Sequence, residues 1–159
     1  MIKKDRILML PSDELFPIIE EYLSNGQDVV IRVRGNSMFP LMRSNIDNIK
    51  IMPAEFVRIK KRDIVLIKRD SGAYVIHRVC KKTQNAFYMV GDNQQNVEGP
   101  LRPDQLIAVA EEVYRGKRTI RRGSLTWNLY ACVWLMLRPV RKPLLAALVR
   151  MYSAVRRKR

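Results

Sequence analysis

The first regular pattern of apolar residues in the chain has the spacing of a helix. One stripe recurs at intervals of three and four residues and is formed by Leu15, Ile18, Ile19 and Tyr22. Ser12 precedes the stripe as a candidate N-cap, and Asn25 and Gly26 follow it with the residue types that end helices. These signals predict one amphipathic helix over residues 13–24, with its apolar stripe buried.

From residue 28 onward the apolar spacing falls to two. Val29, Ile31 and Val33 occupy alternate positions, as in a strand with one buried face. Further short runs rich in β-branched and aromatic residues cover positions 49–52, 63–68, 74–80 and 87–90. Ser71 and Gly72 link two of these runs with the residue types of a hairpin turn. The chain is therefore predicted to be mostly β, with a short N-terminal helix.

Charge divides the chain into unequal parts. Lys and Arg number 30 against 15 Asp and Glu, which gives a formal net charge of +15. The segment 115–159 contains 13 of the basic residues and no acidic residue, so the excess positive charge is concentrated there. We predict an N-terminal helix packed on the core in residues 1–27, a β domain in residues 28–114 and a basic helical tail in residues 115–159.

The two cysteines do not indicate a cofactor. Cys80 and Cys132 lie far apart and outside any CxxC pattern, so they predict neither a disulfide framework nor a zinc site. We expect both thiols to be free. Nothing else in the sequence implies a metal ion or an organic cofactor, and we expect none.

The segment 34–40 interrupts the strand pattern. Gly35 permits an unusual backbone conformation, Ser37 follows two residues later, and Pro40 restricts the exit. A serine on a rigid loop directly after a strand is a candidate nucleophile. The alternative is an ordinary turn in which the hydroxyl only hydrogen-bonds the main chain, and such turns are common.

His77 is the only histidine in the chain. Strand alternation over residues 74–80 places it on one face with Val75 and Val79, and places Tyr74, Ile76 and Arg78 on the other. A lone histidine on a strand commonly has no catalytic role. A serine hydroxyl, however, is a weak nucleophile until a neighbouring base takes its proton, and this is the one imidazole able to do so.

A third segment, residues 89–99, follows a strand with a turn rich in Gly, Asp and Asn. Asp92 and Glu98 are the two carboxylates near enough in sequence to orient an imidazole. Asp92 also has the position of a residue that caps its own turn, whereas Glu98 has no such local role. Both remain candidates for the third catalytic position.

Taken together, three blocks of sequence resemble a family of peptidases. They read GNSMFP at 35–40, YVIHRV at 74–79 and MVGDNQQNVEG at 89–99. In order and separation they are similar to blocks of the type I signal peptidases and the related self-cleaving repressor peptidases. The resemblance covers residues 29–113, and it implies a signal-peptidase-like β fold for the catalytic domain, residues 28–114.

Within that superfamily the chain resembles the Ser-His branch, typified by the endoplasmic reticulum and archaeal enzymes. His77 stands where most bacterial members have a lysine. The resemblance implies that Ser37 is the nucleophile, that His77 is the general base and then acid, and that Glu98 takes the place of an aspartate. Many members carry a serine at the position of Gly35, so the main-chain N–H of Ser37 is expected to supply more of the oxyanion stabilisation here.

The tail contains two groups of apolar and aromatic residues. The first, 123–137, has 15 uncharged residues, fewer than the roughly 20 that a spanning helix needs. The second repeats apolar residues at helical spacing between Leu144 and Val155. This pattern is typical of amphipathic helices that lie in an anionic membrane interface. Such helices would take the place of the transmembrane anchor that the family resemblance implies. The alternative is a helical hairpin packed on the sheet, with a solvated basic end.

Two functional hypotheses follow. The first is a membrane-associated serine endopeptidase that cleaves an extended peptide or protein by acyl transfer, with a Ser-His dyad or triad. The second is a non-catalytic peptidase-like module that binds anionic lipid or nucleic acid through its tail. Nucleic acid is disfavoured because the aromatic residues do not alternate with cations. Basic segments tend to stay cytoplasmic, so we expect the body to lie on the cytoplasmic face of a membrane.

Overall fold

This computed structural model describes residues 12–137, together with residues 140 and 143. In this range the chain is mostly β, as predicted. It has eight strands, with one helix before them and one after them in the sequence, and a 3₁₀ turn at Pro103–Gln105. In chain order the elements are α1 (Ser12–Ser24), β1 (Val29–Arg32), β2 (Asn48–Pro53), β3 (Ile64–Lys68), β4 (Tyr74–Lys82), β5 (Phe87–Val90), β6 (Glu98–Leu101), β7 (Leu106–Arg115), β8 (Arg118–Arg121) and α2 (Leu125–Met136).

The eight strands form one antiparallel sheet. Its order is β1-β2-β7-β3-β4-β5-β6, and β8 also pairs with β7. The long strand β7 pairs with β2 along one edge, and with β3 and then β8 along the other. This order places β4, with His77, between β3 and β5.

The strands and helix predicted up to residue 90 are confirmed within a residue or two at most boundaries. At the predicted hairpin, the main-chain N–H of Arg69 donates to the carbonyl of Ala73 at 2.9 Å and closes the β3–β4 turn. Strands β6, β7 and β8 were not predicted. The boundary expected at residue 114 falls inside β7, and the sheet continues to Arg121, so the first part of the basic tail is strand rather than helix.

The strands contribute to two apolar clusters. Alternation along β4 follows the prediction, because Tyr74 and Ile76 pack against the first cluster while Val75 and Val79 belong with the second. Side chains of α1 and α2 fill the first cluster together with β2, β3 and β7. The second cluster joins β3, β4 and β5 to the turn before β3. His77 therefore projects from β4 on the same side as the second cluster.

Helix α2 packs on the body through one face. Trp127 and Trp134 are buried, and their indole N–H groups donate to the main-chain carbonyls of Arg62 at 3.2 Å and Asp92 at 2.5 Å. The first apolar group of the tail is thus a helix packed on the body. The second apolar group, residues 144–155, lies outside the described residues. Among the helices that are described, none has the length and apolar character needed to cross a membrane.

Candidate active site

A tight loop after β1 carries Ser37. The loop turns at Gly35, whose φ of +81° lies in the left-handed region that favours glycine. The main-chain N–H of Gly35 donates to the Ser44 hydroxyl at 3.0 Å and closes the loop. Met38 and Met42 anchor it in the first apolar cluster. Ser37 is thereby held half-buried at a defined place on the protein surface.

The turn after β5 holds the same serine from another side. The main-chain N–H of Asn93 donates to the Ser37 carbonyl at 2.7 Å. Gly91 approaches so closely that a Cβ atom on it would lie 2.7 Å from that carbonyl oxygen. Any larger residue at position 91 would push the serine loop away, so the approach requires glycine.

His77 lies in β4, one strand away from this contact. Arg78 of β4 pairs with Val90, the last residue of β5. His77 precedes Arg78 in the chain, and Gly91 follows Val90. The Ser37 loop thus lies against the end of the strand that pairs with the strand of His77.

The His77 side chain is almost completely buried. Over the part of the chain that the structure describes, no hydrogen bond joins the imidazole to the Ser37 hydroxyl. The Nδ1 atom is one of two fully buried side-chain polar atoms in that part that lack a hydrogen bond. It lies 3.9 Å from a Glu98 carboxylate oxygen. Catalytic hydrogen bonds are often long in structures without substrate, so this spacing is compatible with a relay.

Burial decides the charge of the imidazole. Loss of hydration lowers the pKa of His77 from 6.5 to about 4, although the nearby Glu98 carboxylate acts in the opposite direction. The Arg69 guanidinium lowers this pKa further. The imidazole is therefore neutral at pH 7, the state in which a ring nitrogen can accept a proton.

Glu98 begins β6 and is held by Arg69. The Arg69 Nε and Nη2 atoms donate to the two Glu98 carboxylate oxygens at 2.5 Å and 2.7 Å. This bidentate pairing lowers the pKa of Glu98, so the carboxylate is charged at neutral pH. The same carboxylate thus pairs with Arg69 and stands beside the imidazole.

Asp92, the other candidate acid, has a different partner. Its two carboxylate oxygens accept hydrogen bonds from Arg78 at 2.8 Å and 2.7 Å, and both side chains are fully buried. The rings of Trp127 and Tyr130 lie 5.8 Å and 5.7 Å from the guanidinium carbon. Within the described residues no hydrogen bond or salt bridge joins Asp92 to His77. The structure thus brings Glu98 to the imidazole and Asp92 to Arg78.

Sequence reasoning missed two residues that support this neighbourhood. Arg69 fixes Glu98, but in the sequence it is one of many basic residues beside a hairpin. Trp134 donates to the carbonyl of Asp92, next to the amide that holds Ser37, but in the sequence it reads only as part of the apolar tail. The one available signal was the two tryptophans in a short uncharged run, since buried tryptophan usually finds a hydrogen-bond acceptor.

Lowering the pH from 7 to 5 is expected to reduce the free energy of unfolding by about 2 kcal/mol through His77 alone. The unfolded chain protonates this residue near 6.5, whereas the folded chain protonates it at about 4. Between these values the unfolded state binds more protons, so stability rises with pH. Urea denaturation at both pH values measures the change. The same pH dependence in His77→Phe would contradict this assignment, since the chain has one histidine.

The described residues contain no group of three or more side chains that could hold a metal ion. Neither Cys80 nor Cys132 is in a disulfide. Comparison of the chain with models of protein families, with curated proteins and with solved structures found no match in any of the three.

Proposed function

We propose that this protein is a membrane-associated serine endopeptidase, similar to the Ser-His signal peptidases in fold and mechanism. The observation that carries the proposal is the close approach of Gly91 to the Ser37 main chain, at the end of the strand that pairs with the strand of the only histidine. A nucleophile, a neutral base and a charged acid come from three separate segments of the chain. That convergence is what an acyl-transfer site requires.

In the proposed reaction the Ser37 Oγ attacks the carbonyl carbon of the peptide bond. His77 takes the hydroxyl proton and then gives it to the leaving amine, which departs and leaves an acyl-enzyme. Water, deprotonated by the same imidazole, releases the acyl group and regenerates the serine. The lowered pKa of His77 keeps the imidazole neutral at pH 7, and the Glu98 carboxylate acts against the lowering.

Glu98 is the proposed orienting residue. With a proton on Nδ1 facing the carboxylate, Nε2 is left with the lone pair that the serine proton needs. The negative charge of Glu98 also stabilises the imidazolium formed during the attack. Asp92 is assigned a structural role, because its buried carboxylate pairs with Arg78 and, within the described residues, no hydrogen bond or salt bridge joins it to His77.

The oxyanion would be bound by main-chain donors. In the described part of the chain, the N–H group of Ser37 donates to no other group and is free to bind the developing negative charge. Gly35 provides no side-chain donor, as expected from the sequence. Removing one such donor in serine peptidases typically costs about 10²-fold or more in rate, so the amide carries a large share of the proposed catalysis.

The substrate is proposed to be a peptide or protein segment in extended conformation. Strand β1 stands at one end of the sheet order and leads directly into the serine loop. An end strand offers unpaired main-chain groups to an added peptide, which would run toward Ser37. Substrates at a membrane are favoured by the basic tail, whose excess of positive charge attracts anionic lipid at the cytoplasmic face.

Labelling with a fluorophosphonate tests the nucleophile without knowledge of the natural substrate. We expect the probe to modify Ser37, located by mass spectrometry after digestion, and not Ser44, which lies in the same loop but bonds the Gly35 amide. Labelling should be lost in His77→Ala, because the hydroxyl then has no base. Equal labelling of the two serines, or no labelling of the folded protein, would contradict a peptidase.

One observation favours a second candidate, a non-catalytic module that binds anionic lipid. The Ser37 hydroxyl and the imidazole share no hydrogen bond here, as expected if the site were inactive. A protein that binds vesicles but remains unlabelled at Ser37 would support this candidate.

A further inference from the structure

Helix α2 has an outward apolar face with nothing packed on it among the described residues. Its most exposed large apolar side chains are Leu125, Leu129, Val133 and Met136, which are 83%, 61%, 45% and 74% exposed. The helix contains no charged residue. Large apolar side chains that cluster on a surface commonly mark an interaction site, whereas isolated ones do not.

Helix geometry shows that these four side chains form one stripe. Successive residues turn by about 100°, so the four positions fall within an arc of about 80°. The buried residues Trp127 and Trp134 occupy the opposite side of the same helix. One side of α2 therefore fixes the helix to the body, and the other side presents a continuous apolar strip.

Basic side chains stand beside the first turn of the helix. An open cleft of about 610 Å³ lies between the residues before β3 and the start of α2. Its lining includes Lys60 and Lys61, together with Glu111 and the ion pair of Arg122 with Asp63. Within the described residues, Lys60 and Lys61 form no salt bridge. Their ammonium groups are exposed and available to an anion outside the protein.

The charge of the surroundings decides which partner fits the stripe. The chain from residue 115 onward has 13 basic and no acidic residues, so a second copy of the protein would bring like charges together. An anionic bilayer offers acyl chains to the stripe and phosphate groups to the flanking cations. Amphipathic helices that lie on membranes combine these two features.

We propose that the stripe Leu125, Leu129, Val133 and Met136, flanked by Lys60 and Lys61, is the face that docks the folded body on an anionic membrane. The docking face lies on described elements of the body, so the lipid contact is not confined to the terminal residues. This inference rests on the membrane association in the proposed function. It does not depend on proteolysis, and the Ser37→Ala protein should bind lipid as well as the natural chain.

Flotation of the full chain with vesicles tests the docking face. We expect binding to vesicles of phosphatidylcholine mixed with phosphatidylglycerol, and much weaker binding to phosphatidylcholine alone. Leu129→Asp should weaken binding to the mixed vesicles about tenfold or more, because a charge replaces a leucine that would be buried in the acyl chains on docking. Ile46→Asp is the matched control, since Ile46 is equally exposed at 61% but lies outside α2.

A second pair of variants tests the cations. Lys60→Glu should weaken binding to the mixed vesicles about fivefold at low salt and less at high salt, whereas Lys81→Glu on β4 should have little effect. If the unaltered protein, Leu129→Asp and Lys60→Glu all bind the mixed vesicles equally well, the proposed docking face is wrong. Association through the tail would then remain. Protein that binds no vesicles would overturn both. Loss of thermal stability in Leu129→Asp, with binding unchanged, would assign the stripe to an internal contact.

Discussion

Replacing His77 with alanine is expected to lower kcat/KM for peptide cleavage by about 10⁴-fold or more, the scale seen when a serine peptidase loses its base. Without the imidazole, the Ser37 hydroxyl keeps its proton and remains a poor nucleophile. The rate is measured on a peptide found by screening a peptide library with the natural enzyme. Ser37→Ala should cause a similar loss, and the double variant should be hardly worse, because the two groups act as a unit.

Ser44→Ala is the control for this experiment. It alters the same loop through the bond to Gly35 but removes no proposed catalytic group, so its effect should be small by comparison. Circular dichroism at neutral pH checks that His77→Ala remains folded. A folded His77→Ala protein that retains a tenth or more of the natural rate would exclude the histidine from the chemistry.

Replacing Asp92 with alanine is expected to lower the free energy of unfolding by about 3–5 kcal/mol, the usual cost of breaking a buried ion pair. The change leaves the Arg78 guanidinium buried without its carboxylate, beneath the rings of Trp127 and Tyr130. Urea denaturation measures the difference. Asp104→Ala is the matched control, since its salt bridge with Arg102 is exposed and contributes little.

A double variant separates the charge from the shape of this pair. Arg78→Met with Asp92→Leu removes both charges and keeps apolar volume, so it should recover most of the stability lost in Asp92→Ala. Similar losses in Asp92→Ala and Asp104→Ala would show that the buried pair does not behave as assigned. The pair of Glu98 with Arg69 differs from this pair because it is partly exposed.

Local patterns predicted the first two thirds of the fold, because helix α1 and strands β1 to β5 each have the spacing expected for one buried face. The longest strand, β7, was missed. Its early residues Ala108, Val109 and Ala110 are all buried, so they show no alternation, and Glu111 and Glu112 interrupt the apolar run. Its identity as a strand depends on β2, β3 and β8 pairing with it, and pairing between distant segments leaves no local signal.

The candidate residues came from the sequence, but their surroundings did not. Ser37 and His77 were singled out from residue chemistry and from the three sequence blocks, and the structure sets the Ser37 loop against the turn after β5, the strand next to that of His77. The choice between Asp92 and Glu98 could not be made from the sequence, because it depends on which arginine each acid meets. Arg78 and Arg69 look alike in the sequence, and only the folded sheet gives one to Asp92 and the other to Glu98.

Two hydrogen bonds connect helix α2 to the proposed nucleophile. The indole N–H of Trp134 donates to the carbonyl of Asp92, and the next main-chain amide, that of Asn93, donates to the carbonyl of Ser37. A displacement of the helix that lengthened the first bond would change the support of the serine through the second. If a membrane surface favours one position of helix α2, it also favours the position of Ser37 that goes with it. By thermodynamic reciprocity, a substrate bound at Ser37 then favours the same position of the helix.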